Sequence, residues 1–112
     1  MTPASDRRPP DRLHAERCVL GSVIITNEVI HDVTKLLDVD LFDYPPHRWI
    51  YTAMRDLWSR GETSIDAVTL CEELGRRECL DTIGGAAYLT RLVESVPNAM
   101  WARHYAAIVR QR

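Results

Sequence analysis

The sequence predicts an all-α domain, folded as a compact orthogonal bundle of about six short helices. Apolar residues recur at intervals of three and four in successive stretches, which is the spacing of one helix face. No segment alternates between apolar and polar residues for long enough to form a strand. Only a few residues separate one stretch from the next, and such short connections are typical of helical bundles.

The N-terminal residues 1–10 are polar and rich in proline, and we interpret them as a flexible arm before a domain at 11–112. The first predicted helix covers about 11–25, because the two prolines before it cannot extend a helix backwards. Its apolar stripe is Leu13, Val19, Leu20, Val23 and Ile24. Gly21 lies off that stripe, where the missing side chain would let another backbone approach.

The second predicted helix is capped by Thr26 or Asn27. Its stripe is Val29, Ile30, Val33, Leu36 and Leu37. The turn that follows carries two apolar residues that we expect in the core, Leu41 and Phe42. In the third predicted helix, Pro46 fits the first helical position, and Gly61 lies just past the end near Arg60.

Asp66 is the expected N-cap of the fourth helix, and Ile65 and Leu70 occupy the two positions of a hydrophobic staple. The inward face of this helix is Ala67, Leu70, Cys71 and Leu74. A glycine pair at 84–85 opens the fifth helix, which Pro97 ends. Its inward residues are Tyr88, Leu89, Leu92, Val93 and Val96.

Asn98 is the expected cap of the sixth helix. The stripe of this helix is Trp101, Tyr105, Ile108 and Val109. Trp101 is therefore expected in the core, as is Trp58 on the stripe of the third helix. Trp49 points away from the stripe of the third helix, and tryptophan is enriched in protein interfaces. We therefore interpret Trp49 as a candidate interface residue.

Composition and charge exclude several classes of function. Apolar residues form 46% of the chain, which is too many for a disordered segment. The formal net charge is −2 and no predicted helix has a one-sided run of Lys and Arg, which argues against a free-standing nucleic-acid binder. Arg76 and Arg77 are interpreted as solvated cations at a helix end. Three cysteines without a C-x-x-C pair, no membrane-length apolar run and no secretory leader predict a cytoplasmic protein.

Two polar residues occupy the middle of apolar stripes, Glu16 in the first helix and His47 in the third. Burying an isolated charge is costly, so a buried carboxylate needs donors. We predict a structural polar tie in which Glu16 is bonded to His47 or Arg48, or alternatively to backbone N–H groups at another helix N-terminus. Glu16→Ala should then cost about 1–3 kcal/mol, or more if a buried cation is left alone. A catalytic Glu–His pair would need a nucleophile or a second carboxylate nearby, and we expect no catalytic residue.

His14 and Cys18 are four residues apart on one predicted helix, a spacing that occurs in metal sites. Two ligands do not make a site, and Cys71 and Cys79 have no partner at zinc-finger spacing. We therefore expect no metal ligand and interpret the cysteines as small apolar residues. The glycine pair at 84–85 is a weak signal for a phosphate-binding loop, so we also expect no cofactor-binding residue.

Several short motifs follow one another in a specific order over residues 9–112. They are Ala15-Glu16-Arg17-Cys18-Val19-Leu20-Gly21-Ser22, Pro45-Pro46-His47-Arg48, Asp66-Ala67-Val68-Thr69-Leu70 and Gly84-Gly85-Ala86-Ala87-Tyr88-Leu89. In this order and spacing, the chain resembles the N-terminal domain of bacterial and phage replicative DNA helicases of the DnaB type.

Three positions depart from the pattern of that family. The family usually has Asp-Phe-Tyr where this chain reads Leu41-Phe42-Asp43. It usually has Gly at the end of the fourth helix where this chain has Glu78, and a small or polar residue where Trp101 stands. The departures indicate a divergent member, such as one from a phage or another mobile element.

The resemblance implies a non-catalytic domain of a larger enzyme. Members of the family continue into a second helical hairpin, a linker and a RecA-like motor domain, and no position of this chain matches the catalytic residues of that motor. The implied role is collar formation on a hexameric helicase and docking of primase and of the helicase loader, with weak self-association of this chain. ATP, magnesium and DNA would be bound only by the motor domain of the parent helicase, and no membrane contact is expected.

Two alternatives stay open. A free-standing module with the same fold, encoded by a phage or a mobile element, would bind a host helicase or primase. A stop codon after Arg112, in place of an in-frame nucleotide-binding loop, would identify such a module. A helix-turn-helix DNA-binding domain is disfavoured by the acidic balance and by the absence of an Arg- and Lys-rich recognition face.

Overall fold

The computed structural model describes residues 11–62 and 64–111. Within these ranges the chain forms seven α-helices, which confirms the predicted all-α class. The helices are α1 (Arg12–Ile25), α2 (Ile30–Leu36), α3 (Pro45–Ser59), α4 (Ala67–Arg76), α5 (Leu80–Ile83), α6 (Gly85–Glu94) and α7 (Ala102–Arg110). None of the helices in the described part combines the length and apolarity that a bilayer crossing requires. The arm expected at residues 1–10 lies outside the described ranges.

Helix α1 lies at the centre of the domain. It packs against α3, α6 and α7, and residues 18–23 are all buried. The single stripe predicted for this helix is therefore too narrow, because neighbouring helices cover α1 from several sides. The expectation for Leu13 is wrong, since its side chain is 37% exposed in the first turn of the helix. That turn begins at Asp11, whose carboxylate caps α1 by accepting from the Leu13 N–H at 3.0 Å.

The close approach of α6 to α1 depends on Gly21. A Cβ at this position would lie 2.2 Å from the carbonyl oxygen of Leu92 and 2.6 Å from Cγ2 of Val96. Both distances are far below van der Waals contact, so only glycine lets the two helices pack at this separation. The prediction that another backbone approaches Gly21 is confirmed.

The start of α2 differs from the prediction. A 3₁₀ turn at Asn27–Val29 precedes the helix, and no side chain caps that turn. The Asn27 amide instead donates to the carbonyl oxygens of Val23 at 2.6 Å and Ile65 at 2.8 Å, and it accepts from the Ile65 N–H at 2.9 Å. Asn27 therefore joins the end of α1 to the segment before α4.

The predicted starts of the next two helices hold to within one residue. Helix α3 begins at Pro45, so the two prolines occupy its first turn, where no intrahelical N–H donor is needed. Helix α4 begins after Asp66, whose carboxylate accepts from the Thr69 N–H at 2.8 Å. This hydrogen bond lowers the pKa of Asp66. In the turn before α3, Phe42 is fully buried and Leu41 is partly buried.

The end of α4 coincides with one of the departures from the family pattern. Glu78 has a φ of 60°, a left-handed conformation that favours glycine. The Glu78 N–H donates to the Gly75 carbonyl and the Cys79 N–H to the Leu74 carbonyl, each at 3.0 Å. These two bonds form a Schellman cap. Helix α5 follows directly, and it was missed because four residues are too few to show a helical period.

The prediction for Trp101 is wrong, since its side chain is 54% exposed. The segment Ala99–Trp101 is a 3₁₀ turn, and helix α7 begins only at Ala102. The sequence prediction assumed that the α-helical spacing of about 100° per residue continues back to Trp101. A 3₁₀ turn has about three residues per turn, so that assumption gives the wrong direction for the Trp101 side chain. Trp58 is half-buried, with its ring centroid 5.1 Å from that of His31.

Candidate functional site

A buried polar network joins α1 to the start of α3. Glu16 Oε1 lies 2.8 Å from His47 Nδ1, and neither side chain has exposed surface. The carboxylate also accepts from the backbone N–H groups of Asp43 at 2.8 Å and Tyr44 at 3.4 Å. The structure thus provides both kinds of donor considered from the sequence, the imidazole ring and the backbone at a helix start.

Arg48 was the other side chain expected to reach Glu16, and the structure directs it elsewhere. Its Nε donates to the carbonyl oxygen of Phe42 at 2.6 Å. Successive residues of an α-helix point about 100° apart, so Arg48 and His47 cannot both face α1. Arg48 therefore ties α3 to the turn before it.

The network continues from His47 to Tyr88 on α6. The Tyr88 hydroxyl lies 2.6 Å from His47 Nε2, and the two rings are stacked with centroids 5.8 Å apart. A carboxylate accepts, so His47 Nδ1 donates to Glu16, and the Tyr88 hydroxyl pairs with the other ring nitrogen, Nε2. Burial raises the pKa of Tyr88, which keeps its hydroxyl able to donate. The sequence identified Tyr88 only as an inward residue of its helix.

A Glu–His–Tyr series has the composition of an acid–base site, but its position is unsuited to catalysis. Glu16 and His47 are fully buried, so a substrate cannot contact the carboxylate or the imidazole. Their hydrogen bonds instead hold three helices at defined positions. A structural tie is therefore the role that we predict for these residues.

Trp49 lies on the surface, with 41% of its side chain exposed. It borders a cleft of about 410 Å³. The other lining residues are Thr52, Arg77, Glu78, Cys79 and Thr82. The cleft exists because α3 packs beside the junction of α4 and α5. The participation of Trp49 in a protein contact stays a prediction.

An ion-pair cluster borders this cleft. The buried carboxylate of Glu73 accepts from Arg60 at 3.0 Å, from Arg77 at 2.8 Å and from Arg76 at 2.5 Å. Arg77 also donates to Asp56 at 2.7 Å. The hydrogen bonds from Arg60, Arg76 and Arg77 lower the pKa of Glu73 to about 2. The Arg76 side chain is 66% exposed and so is solvated as expected. Arg77 is only 30% exposed and is shared between Glu73 and Asp56, because the fold brings the end of α3 against α4.

His14 and Cys18 approach each other on α1, with 3.5 Å between Nε2 and Sγ. The Cys18 thiol also lies 3.4 Å from the carbonyl oxygen of Ser95. Burial raises the pKa of Cys18 and so disfavours the thiolate that a metal ion requires. Within the described ranges, no group of three or more His, Cys, Asp and Glu side chains could hold a metal ion.

The family model described as "DnaB-like helicase N terminal domain" matches residues 8–111. The replicative DNA helicase DnaB of Mycobacterium leprae is 44% identical over 114 residues, covering 100% of this chain and 19% of that protein. The replicative DNA helicase DnaC of Bacillus subtilis is 37% identical over 108 residues, covering 96% of this chain and 24% of that protein. The chain therefore spans about a fifth to a quarter of the length of these relatives.

A solved structure shows the same fold. The N-terminal domain of DnaB helicase from Mycobacterium tuberculosis matches with a TM-score of 0.87 and 44% sequence identity. The match covers 93% of this chain and 75% of that chain.

Proposed function

The chain belongs to the family of DnaB-like helicase N-terminal domains, and from this membership we propose that it is the non-catalytic assembly and docking domain of a hexameric replicative DNA helicase. The observation that carries the proposal is the likeness of the whole chain to one segment of replicative helicases. In this role the domain contributes to the collar of the ring and docks primase and the helicase loader. ATP, magnesium and DNA are bound by the motor domain of the parent helicase, in the cytoplasm.

The geometry of the domain supports a role in assembly. The candidate acid–base residues Glu16 and His47 are inaccessible and serve the packing of helices. Trp49, by contrast, is exposed beside a cleft, and tryptophan is a residue type enriched in protein interfaces. The domain thus offers a stable scaffold with a contact surface.

The test is a chimera in which this chain replaces the matching N-terminal residues of the Mycobacterium leprae helicase. We expect the chimera to form hexamers and to unwind forked DNA as the parent does. The matched control is the parent without those residues, which should assemble poorly. A chimera that sediments and unwinds like the truncated control would contradict the proposal.

The alternative function is a free-standing module that binds a helicase or primase in trans. An assembly domain and a free-standing module would both share sequence identity with helicases. Binding of the isolated chain to an intact helicase distinguishes the two. Titration calorimetry against the intact helicase ring should show no binding by an assembly domain, because the ring already contains its own N-terminal domains. Stoichiometric binding to the intact ring would favour the free-standing module.

A further inference from the structure

The Arg12 side chain joins the first turn of α1 to the end of α7. Its guanidinium donates to the carbonyl oxygen of Ile108 at 3.2 Å and to that of Gln111. It also donates to the carbonyl oxygen of Leu41 at 3.1 Å and to the carboxylate of Asp43 at 2.8 Å. The Arg12 side chain is only 21% exposed, and these four acceptors together hold its planar guanidinium in one orientation.

The position of Arg12 suits α7 better than it suits α1. A cation in the first turn of a helix is disfavoured by the dipole of that helix, whereas a cation beside the last turn of another helix is favoured. The last carbonyl groups of a helix also have no donors within the helix, and a basic side chain can supply them. Arg12 therefore acts as a cap of α7 that a different helix provides.

The local sequence gives no reason for α7 to end where it does. Arg110, Gln111 and Arg112 are residue types that favour helices, and neither glycine nor proline is among them. The backbone leaves the helix at Gln111, whose φ of −74° is still helical but whose ψ is 119°. Rotation about ψ turns the carbonyl group of the residue, and the Gln111 carbonyl is one that Arg12 bonds. The hydrogen bond therefore fixes the torsion at which α7 ends.

We propose that Arg12 ends α7 through this tertiary contact, by holding Gln111 extended and so preventing the helix from continuing into the residues that follow. Loss of the contact lets ψ of Gln111 return to its helical value of about −42°, and α7 then grows. Where a longer protein continues after Arg112, Arg12 sets the direction in which the polypeptide leaves this domain. That consequence for a helicase rests on the proposed function, whereas the end of α7 is a property of this chain.

The turn before α3 connects this contact to the buried polar network. Leu41 and Asp43, which accept from Arg12, both belong to that turn. The backbone N–H of Asp43 donates to the buried Glu16 carboxylate at 2.8 Å. The guanidinium of Arg12 is therefore positioned by a segment that is itself bonded to the core of the domain.

The experiment appends a short alanine-rich peptide after Arg112 and follows it by nuclear magnetic resonance in the cold. The Cα chemical shifts report whether each residue is helical, and amide hydrogen exchange reports how often the helix is formed. In the wild type, Gln111 and the appended residues should be non-helical. In Arg12→Met they should show helical shifts. Their amide exchange should slow by about twofold, because a propagation constant of about 1–1.6 per residue keeps such a helix formed about half the time.

Arg103→Met is the matched control, since Arg103 is an exposed arginine of α7 and its replacement makes the same change of charge. This variant should leave the appended residues non-helical. The proposal is overturned if those residues are already helical in the wild type, if they stay non-helical in Arg12→Met, or if Arg103→Met has an equal effect.

Urea unfolding verifies that each variant is folded. Should Arg12→Met fail to fold, Arg12→Lys decides the question, because an ammonium group lacks the planar fork that spans the four acceptors. Arg12→Lys should give helical shifts of the same sign, and an appended peptide as non-helical as in the wild type would overturn the proposal.

Failure of this inference is distinguishable from failure of the proposed function. Growth of α7 after the loss of Arg12 supports the role of Arg12 whatever the helicase chimera does. A chimera that assembles normally, together with an Arg12→Met chain whose appended residues stay non-helical, overturns the role of Arg12 and leaves the assembly function standing.

Discussion

Replacing Glu16 with alanine removes the carboxylate at the centre of the polar network and leaves its donors buried without an acceptor. The two short bonds, to His47 Nδ1 and to the Asp43 N–H, are both 2.8 Å. Hydrogen bonds to a charged group contribute about 1.5–3 kcal/mol each, and a buried donor left without its acceptor costs about 1–3 kcal/mol. We therefore expect Glu16→Ala to lower the free energy of unfolding by about 3–5 kcal/mol. This exceeds the cost expected from the sequence, because the structure gives the carboxylate several donors at once.

The magnitude is tested by urea unfolding followed by circular dichroism. Glu16→Gln keeps the shape but turns an amide N–H₂ towards a donor, so its cost should be intermediate. Tyr88→Phe removes one hydroxyl and should cost about 1–2 kcal/mol. Glu72→Ala, at an exposed position of α4, is the matched control and should stay within about 0.5 kcal/mol of the wild type. A Glu16→Ala variant as stable as that control would refute the reasoning.

Three further predictions concern backbone geometry and charge. Glu78→Gly should stabilise the domain by about 1 kcal/mol, because Gly adopts the left-handed φ of 60° without strain; an unchanged urea midpoint would contradict this. Gly21→Ala should destabilise the domain by about 1–3 kcal/mol, because its Cβ would lie 2.2 Å from a carbonyl oxygen. Gly75→Ala has open space in a helix and should stabilise the domain by about 0.5–1 kcal/mol. Thermal melts that rank the two variants in the opposite order would disprove the packing argument. The pKa of Glu73 is lowered to about 2, chiefly by the hydrogen bond from Arg60. Ionised Glu73 should therefore stabilise the fold when the pH is above its ordinary pKa of 4.5, and this stabilisation should disappear as the pH falls from about 5 towards 2. Unfolding titrations of wild type and Glu73→Gln check it, and identical pH profiles would count against it.

The candidate site was predictable from the sequence as far as helical periodicity reaches. Glu16 and His47 lie in the middle of apolar stripes, and the structure buries both. Asp66 was identifiable as a cap because its hydrogen bond to Thr69 is made within four residues of chain. Gly21 was recognisable as a position of close approach, although not the helix that approaches it.

The partners of these residues were not predictable in the same way. Tyr88 is 41 residues from His47 along the chain, and a single sequence carries no signal that pairs them. Glu73 looked like any helix-surface carboxylate until α3 was seen to bring Arg60 against α4. The cleft beside Trp49 also has no local signature, since its lining comes from α3, from α5 and from the turn between α4 and α5.

The sequence by itself determined the helical class, most helix boundaries and the inward positions of Glu16 and His47, because each depends on interactions within a few residues. The tertiary structure alone decided which donors bond Glu16, which group Arg48 bonds and which residues line the cleft beside Trp49. It also reversed the prediction for Trp101, whose direction depends on a 3₁₀ turn that the periodicity does not reveal. The physical reason is that periodicity gives a direction around one helix axis, whereas contacts between helices depend on how those axes cross and slide against each other.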